Sequence, residues 1–421
     1  MQAQTKIKSD VYRTGEAFGT ERIGRIFARI APPVMLAQLI QALYNLVDSF
    51  FIGHYAADGL TALSAIFPVQ YLISSLSIGV GLGVNALMAR FYAQKAYDRA
   101  KRTAGTGLLL AVLVFAVFAA ASVLFLPPLA AASVQTETAA AYTVTYGRIV
   151  CLGSLGILLE GCFSKVHQAG GNMRRPMAAQ IAGAVCNLIL DPLLIFGIGP
   201  FPALGIAGAA IATVIGQYTA MLIVAAGALH RPPAPAEIPA YVKPILHYGA
   251  PYLLTQFVSV GYCAAVNVIL AAFSDAAVTV LGLYFKLQTF FFIPLFALQT
   301  CIVPLLSYNF TQKRYARCRE TVRLALAVSA GLMGVGILCF EAIPGGLIRL
   351  FSDSAAVIEM GIPAFRIIGT SFLSAAVSQM SPFVFQAIGR AKESIFLGGL
   401  RPVALTASIW RFTRVSLYLP R

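Results

Sequence analysis

"FYAQKAYDRAKRT" (residues 91–103) and "NFTQKRYARCRET" (residues 309–321) are two versions of one segment. Gln94, Lys95, Tyr97, Arg99 and Thr103 match Gln312, Lys313, Tyr315, Arg317 and Thr321, an offset of 218 residues (94 to 312). The same offset, without a gap, pairs Pro33 with Pro251, Gln38 with Gln256, Phe67 with Phe285, Gln70 with Gln288 and Arg148 with Arg366. It also pairs Gln168, Ala169 and Gly171 with Gln386, Ala387 and Gly389. A single offset held over residues 33 to 171 is the mark of an internal duplication, and it sets how every other feature of the chain is read.

The repeated material is apolar. Of 421 residues, 58% are hydrophobic and 11% charged, and the mean hydropathy is +0.79. A soluble chain of this length needs more charge to cover its surface. Apolar runs of ~20 residues read as membrane spans. Ten such runs are expected, at about 29–53, 62–89, 104–126, 142–164, 177–197, 205–228, 248–273, 278–306, 322–343 and 358–385. The net charge of +15 would suit a nucleic-acid partner, but its distribution argues against one. The loops after spans one, three, five and seven hold no Lys or Arg, and the loop after span nine holds only Arg349. Basic residues gather in the N-terminal tail and the other loops, as in Lys95, Arg99, Lys101 and Arg102. That asymmetry predicts a cytoplasmic N-terminus, in a multi-pass protein of a bacterial inner (plasma) membrane, with the lipid bilayer as its surroundings and a monomer as its expected state.

Six helices per repeat unit is an even number, so both units enter the membrane with the same orientation. The expected fold is therefore an all-α polytopic membrane protein of two six-helix lobes related by a parallel repeat. The boundaries expected are a tail over 1–28, an N-lobe over 29–229, a cytoplasmic linker over 230–246 and a C-lobe over 247–393. The linker rests on the prolines of "HRPPAPAEIPAYVKP" (230–244), which forbid a continuous helix there. Residues 394–421 carry Arg401, Pro402, Arg411 and Arg414 where an eleventh span should lie. They read as a partial or aberrant helix, and the second lobe as incomplete.

Several chemistries lack support. The seven cysteines form no CxxC pair, the four histidines no HExxH, and there is no phosphate-binding GxxxxGK[ST]. An enzyme, a cofactor and an ATP-driven pump are therefore not expected. Gly79, Gly81 and Gly83 in "GVGLGVNA" follow no strand, so they read as close helix packing rather than a phosphate loop.

What stands out is polarity inside the spans. Gln38, Gln41, Asn45 and Asp48 follow at steps of three, four and three, which line up one face of a helix. Interhelical hydrogen bonding suffices for the glutamines. For Asp48 it does not, because asparagine would serve at lower desolvation cost. In "CNLILDPLLIFG", Asn187 and Asp191 lie one turn apart, followed by Pro192; a solvated bend is the plainer alternative. Thr213 adds a hydroxyl that could simply bond its own backbone. Two acids close together in low dielectric cannot both stay ionised, so one can trade a proton. The same oxygens could ligate Na⁺, and the sequence leaves the choice open. At offset 218, Asp48 faces Val266, and Asn187 and Asp191 face Leu405 and Ile409, so these acids belong to one half only. The second half offers Lys286 and Gln288, with Ser371, Ser374 and Ser378 as a small polar stripe. Gln38, Gln41, Tyr44, Asn45, Lys286 and Gln288 are the candidate substrate-cavity residues, and Phe290 and Phe291 could contact flat cations. Arg148 and Arg366 read as snorkelling to head groups.

Four motifs resemble the multidrug and toxic compound extrusion transporters: "PPVMLAQLIQALYNLVDSFFIGHY", "GVGLGVNALMARFYAQ", "NLILDPLLIFGIGPFPALGIAGAAIAT" and "YFKLQTFFFIPLF". The resemblance spans roughly residues 25–392. It implies exchange of Na⁺ or H⁺ for organic cations or drugs by alternating access. It also implies that Asp48, Asn187, Asp191 and Thr213 are the cation-site positions of the N-lobe. Two other readings remain open from the residues: a flippase for lipids or lipid-linked precursors, and an inactive, truncated membrane protein.

Overall fold

The computed structural model describes residues 17–134, 136–271, 275–350 and 355–400. Helices dominate them: α1 Ile23–Tyr55, α2 Ala57–Ala93, α3 Tyr97–Ser133, α4 Glu137–Gly153, α5 Leu155–Ala169, α6 Arg174–Phe196, α7 Ile206–Ala225, α8 Ile238–Ala271, α9 Asp275–Thr311, α10 Tyr315–Ala342, α11 Pro344–Arg349, α12 Ala355–Thr370 and α13 Phe372–Ile388. No strand occurs among the described residues. Among the described residues, seven helices are long and apolar enough to cross a membrane, or up to nine if each of the bent pairs α4/α5 and α12/α13 is one span. The seventh expected span falls on α8. The aberrant helix expected at 394–421 lies outside the described residues from 401 onward.

The duplication is visible in the backbone. Among the described residues, Lys95 and Lys313 are the non-glycine residues with positive φ, at 57° and 58°, and they are partners at the repeat offset. The residues after them, Ala96 and Arg314, share φ near −89° and −85° and ψ of 63° and 64°. In both halves the next helix then starts on a tyrosine, Tyr97 or Tyr315. Gly171 and Gly389, also partners, have φ of 81° and 84°, a region closed to a β-carbon without strain. The matching letters of the sequence are thus the residues that make the turns.

Two expected spans are broken. The helix over 142–164 stops at Ser154 and resumes at Leu155 with a bend of 43°; that over 358–385 stops at Ser371 and resumes at Phe372 with a bend of 50°. The cause is local and the same in both. Each serine hydroxyl donates to the carbonyl three residues back, Cys151 or Ile368, at 2.7 Å, and its own N–H turns to that same carbonyl. The tightened turn replaces the i→i−4 bond and tilts the axis.

The linker differs from expectation too. A 3₁₀ turn occupies Pro235–Glu237 and α8 begins at Ile238, with Pro239 in its first turn, where a missing N–H costs nothing. The segment is docked rather than loose: a Cβ on Gly105 would lie 2.4 Å from the Arg231 carbonyl oxygen, and Arg102 pairs with Glu237.

The described residues divide into two compact units. The first takes in the chain up to Ala250 and, from later, Ser307–Lys313; the second takes in Pro251–Leu306 and the chain from Arg314. Both α8 and α9 therefore pass from one unit to the other. In the first unit, Ile66, Val69, Phe118, Leu126, Tyr146, Val150 and Ile195 form one core cluster. In the second, Phe291, Phe292, Phe340, Phe365 and Phe372 pack ring against ring, with Phe340 centroids 4.9 Å from Phe372 and 5.0 Å from Phe365.

The glycines of α2 bear out the packing reading. A Cβ on Gly81 would meet Lys165 Cγ at 2.7 Å, and one on Gly83 would meet the Ile245 carbonyl oxygen at 2.1 Å. Gly331 in α10 meets nothing within 4 Å. Gly83→Ala should therefore destabilise the protein by about 1–3 kcal/mol through a backbone clash, whereas Gly331→Ala should be neutral or stabilise by up to about 1 kcal/mol through helix propensity. Thermal unfolding of the two variants in one detergent checks the contrast.

Candidate ion-coupling site

Helices α6 and α7 approach backbone to backbone. A Cβ on Gly183 would lie 2.7 Å from the Gly216 carbonyl oxygen, and the reverse distance is also 2.7 Å. That closeness places the polar residues of α6, α7 and α1 together inside the first unit. Asp191 is 0% exposed, Asn187 3%, Thr213 6% and Asp48 7%. The solvated-bend alternative for Asp191 is thereby excluded, and α6 runs on unbroken through Pro192 to Phe196. The Asn187 amide Nδ2 donates to Asp191 Oδ1 at 3.2 Å.

The Asp48 and Asp191 carboxyl groups, from α1 and α6, are buried neighbours close enough to influence one another electrostatically. As two acceptors they cannot satisfy each other. Asp48 Oδ1, Asp191 Oδ2, Asn187 Oδ1 and Thr213 Oγ1 are all buried with no hydrogen-bond partner. An orphaned buried polar atom costs about 1–3 kcal/mol, more when charged, and four of them, two from the carboxylate pair itself, amount to a cradle of oxygens. A proton shared by the acids, or a hard monovalent cation, is what such a donor-poor set can hold. The Thr213 hydroxyl does not bond its own helix, contrary to the plainer alternative for an intramembrane threonine.

Two neighbours escaped the sequence reading. Tyr146 on α4 is buried, accepts from Gln70 Nε2 at 3.3 Å, and presents its hydroxyl toward Thr213. Gln70 did carry a signal, its repetition as Gln288; Tyr146 faces Ala364 at the repeat offset and carried none. Tyr44 is half-buried and close enough to feel both carboxylates. A second buried polar set lies on α5: Ser164 donates to Glu160 at 2.6 Å, Lys165 Nζ donates to Gln168 at 2.9 Å, and Asn85 of α2 donates to the Lys165 carbonyl.

Other expected residues fare differently. Gln38 is half-buried but Gln41 is exposed, so the stripe on α1 does not turn inward along its whole length. The side chains of Asn45 and Lys286 lie outside the described residues. Gln288 is half-buried. Ser371, Ser374 and Ser378 donate their hydroxyls to carbonyls of their own helices, at Ile368, Ser371 and Ala375, which leaves the oxygens as acceptors. Phe291 is committed to the aromatic core, while Phe290 is exposed. Arg148 and Arg366 are both exposed, as snorkelling requires. Val266, opposite Asp48 in the repeat, is buried and apolar.

A duplicated bundle of membrane-spanning helices with a buried polar site in one half defines the class: a multi-pass membrane transporter. The chain belongs to the MatE family, whose model matches residues 33–193 and 251–403. A FAD transporter of Shewanella oneidensis is 30% identical over 347 residues, 80% of this chain and 76% of that one. The multidrug export protein MepA of Staphylococcus saprophyticus is 24% identical over 388 residues, 89% of this chain and 83% of that one. Among solved structures, a MOP superfamily transporter from Pyrococcus furiosus superposes with a TM-score of 0.88 at 20% identity, over 95% of this chain and 90% of that one.

The geometry makes a stability prediction. Asp48→Asn supplies an N–H donor to the orphaned Asp191 Oδ2 and removes one of two facing charges. The variant should be more stable than the parent at alkaline pH, by about 1.5–3 kcal/mol for a charge-assisted hydrogen bond. Melting curves at pH 6 and pH 9 in the absence of Na⁺ check this; a variant that melts lower than the parent at pH 9 contradicts the facing-carboxylate geometry.

Proposed function

We propose that this protein is a secondary active exporter of the bacterial inner membrane, a monomer with its N-terminus in the cytoplasm. It exchanges H⁺ or Na⁺ for organic cations or drugs by alternating access, with coupling in the first unit. The observation that carries the reading is the buried set Asp48, Asp191, Asn187 and Thr213 on α1, α6 and α7, each with one unpartnered oxygen. Asp48, Asn187 and Asp191 hold the ion, and Thr213 completes the set. Without the ion the two carboxyl groups repel across the gap between α1 and α6; with it they are drawn together. One ion thus biases the position of α1, and the equilibrium between two access states shifts by the difference in ion affinity. The gradient supplies about 2.3 kcal/mol per charge per 100 mV, plus the concentration term. Tyr44, Gln38 and Gln41 on α1 are the candidate substrate contacts, since they move with the helix that senses the ion. The two compact units serve as the two lobes of the transport cycle.

A second substrate class is supported by one finding, the FAD transporter 30% identical over most of the chain. A flavin nucleotide is a flat aromatic like many drugs but is anionic. Proteoliposomes containing ethidium or FAD, under an imposed pH gradient or Na⁺ gradient, separate the cases. Gradient-driven efflux of ethidium is expected, and Asp48→Asn and Asp191→Asn should each abolish it. Efflux from Asp48→Asn equal to that of the parent would refute the coupling role, and movement of FAD but not ethidium would overturn the cation reading.

A further inference from the structure

Two helices, α8 and α9, are shared between the compact units, and each is tied to the first unit by a segment that leads into a repeat. The segment before α8 is fastened by the Arg102–Glu237 pair and by the Arg231 backbone seated on Gly105. The segment before α1 does the equivalent for the last turn of α9. Phe18 is 0% exposed, its carbonyl accepts from Asn309 Nδ2 at 3.0 Å, and its ring meets Tyr308 edge-on at 6.2 Å. Gln312 Nε2 donates to the Ala93 carbonyl beside it. Ser307 and Asn309 are also 0% exposed. Both ties flank the repeated turns at Lys95 and Lys313.

The tie before α1 includes the Phe18 ring on Tyr308 and the Asn309 amide on the Phe18 carbonyl. It is also continuous with the ion-bearing helix: α1 runs from Ile23 to Tyr55 as 33 residues of unbroken helix, with Asp48 near one end and Phe18 just beyond the other. At 1.5 Å per residue that rod is about 50 Å long, so a tilt at Asp48 reaches the Phe18 end as a displacement. Ile23, Ile26 and Ile30 are nearly or fully buried and hold the start of α1 against its neighbours.

We propose that Ala17–Glu21 is a releasable strap: it clasps the end of α9 in the structure described here, and movement of α1 during the transport cycle must pull it free. The inference rests on the coupling reading above for its driving force, but the clasp itself does not. In full-length protein in lipid nanodiscs, amide hydrogen exchange of residues 308–311 reports release directly. Phe18→Ala should speed exchange there by at least about tenfold while leaving Ala86–Ala89 of α2 unchanged. In a chain with its seven native cysteines replaced, Phe18→Cys with Tyr308→Cys can be joined by a short cleavable bis-thiol linker. Joining should slow exchange at 308–311 to the rate of the α2 core and arrest ethidium efflux from proteoliposomes, and cleavage should restore both. Unchanged exchange in Phe18→Ala, or a joined protein that transports as fast as the cleaved one, overturns the strap. Efflux that survives Asp48→Asn refutes the coupling reading instead, and the exchange measurements still decide the clasp.

Discussion

Two carboxyl groups facing one another inside an apolar bundle cannot both remain charged unless something positive stands between them. Most of the first unit can be understood from that constraint. Asp48 and Asp191 come from different helices, so whatever neutralises them also ties α1 to α6. Asn187 orients Asp191 by donating to one oxygen and leaves the other buried without a partner. The glycine contact between α6 and α7 is what brings Thr213 within the same space. The site is expensive to keep empty, which is the physical reason to read it as a place where an ion comes and goes rather than as structural hydrogen bonding.

The duplication has kept its backbone and changed its chemistry. The turns at Lys95 and Lys313, the left-handed glycines Gly171 and Gly389, and the serine breaks at Ser154 and Ser371 occur in both halves. Among the described residues, the buried acids occur in one. Where the first unit holds carboxylates, an amide and hydroxyls, the second holds stacked phenylalanines and, opposite Asp48, a valine. In the proposed mechanism, a scaffold of two like halves needs only one of them to carry the charge that changes. The other half can be packed as an ordinary apolar core.

Legibility followed the range of the interaction involved. Asp48, Asn187 and Asp191 could be found by their cost alone, because a carboxylate in an apolar run is anomalous wherever its partners are. Tyr146 could not, since a tyrosine in a span is unremarkable until its hydroxyl is known to stand beside Thr213. Gln41 shares the helical spacing of Asp48 but is exposed where Asp48 is buried. The broken helices at Ser154 and Ser371 were missed because one serine bonding back to Cys151 or Ile368 leaves the hydropathy of the span unchanged.

The sequence by itself determined that this is a duplicated bundle of membrane helices, which half carries the acids, and where the turns fall. Those properties follow from the solvent, from the fixed spacing of the repeat and from backbone conformations that only certain residues accept. The tertiary structure alone decided that both acids are buried as neighbours in the first unit, that Thr213 is left without a partner, and that the last turn of α9 is clasped by Phe18 of the N-terminal segment. These depend on how closely helices distant in sequence approach, and that distance is set by glycines and ring packing across the bundle rather than by any local pattern.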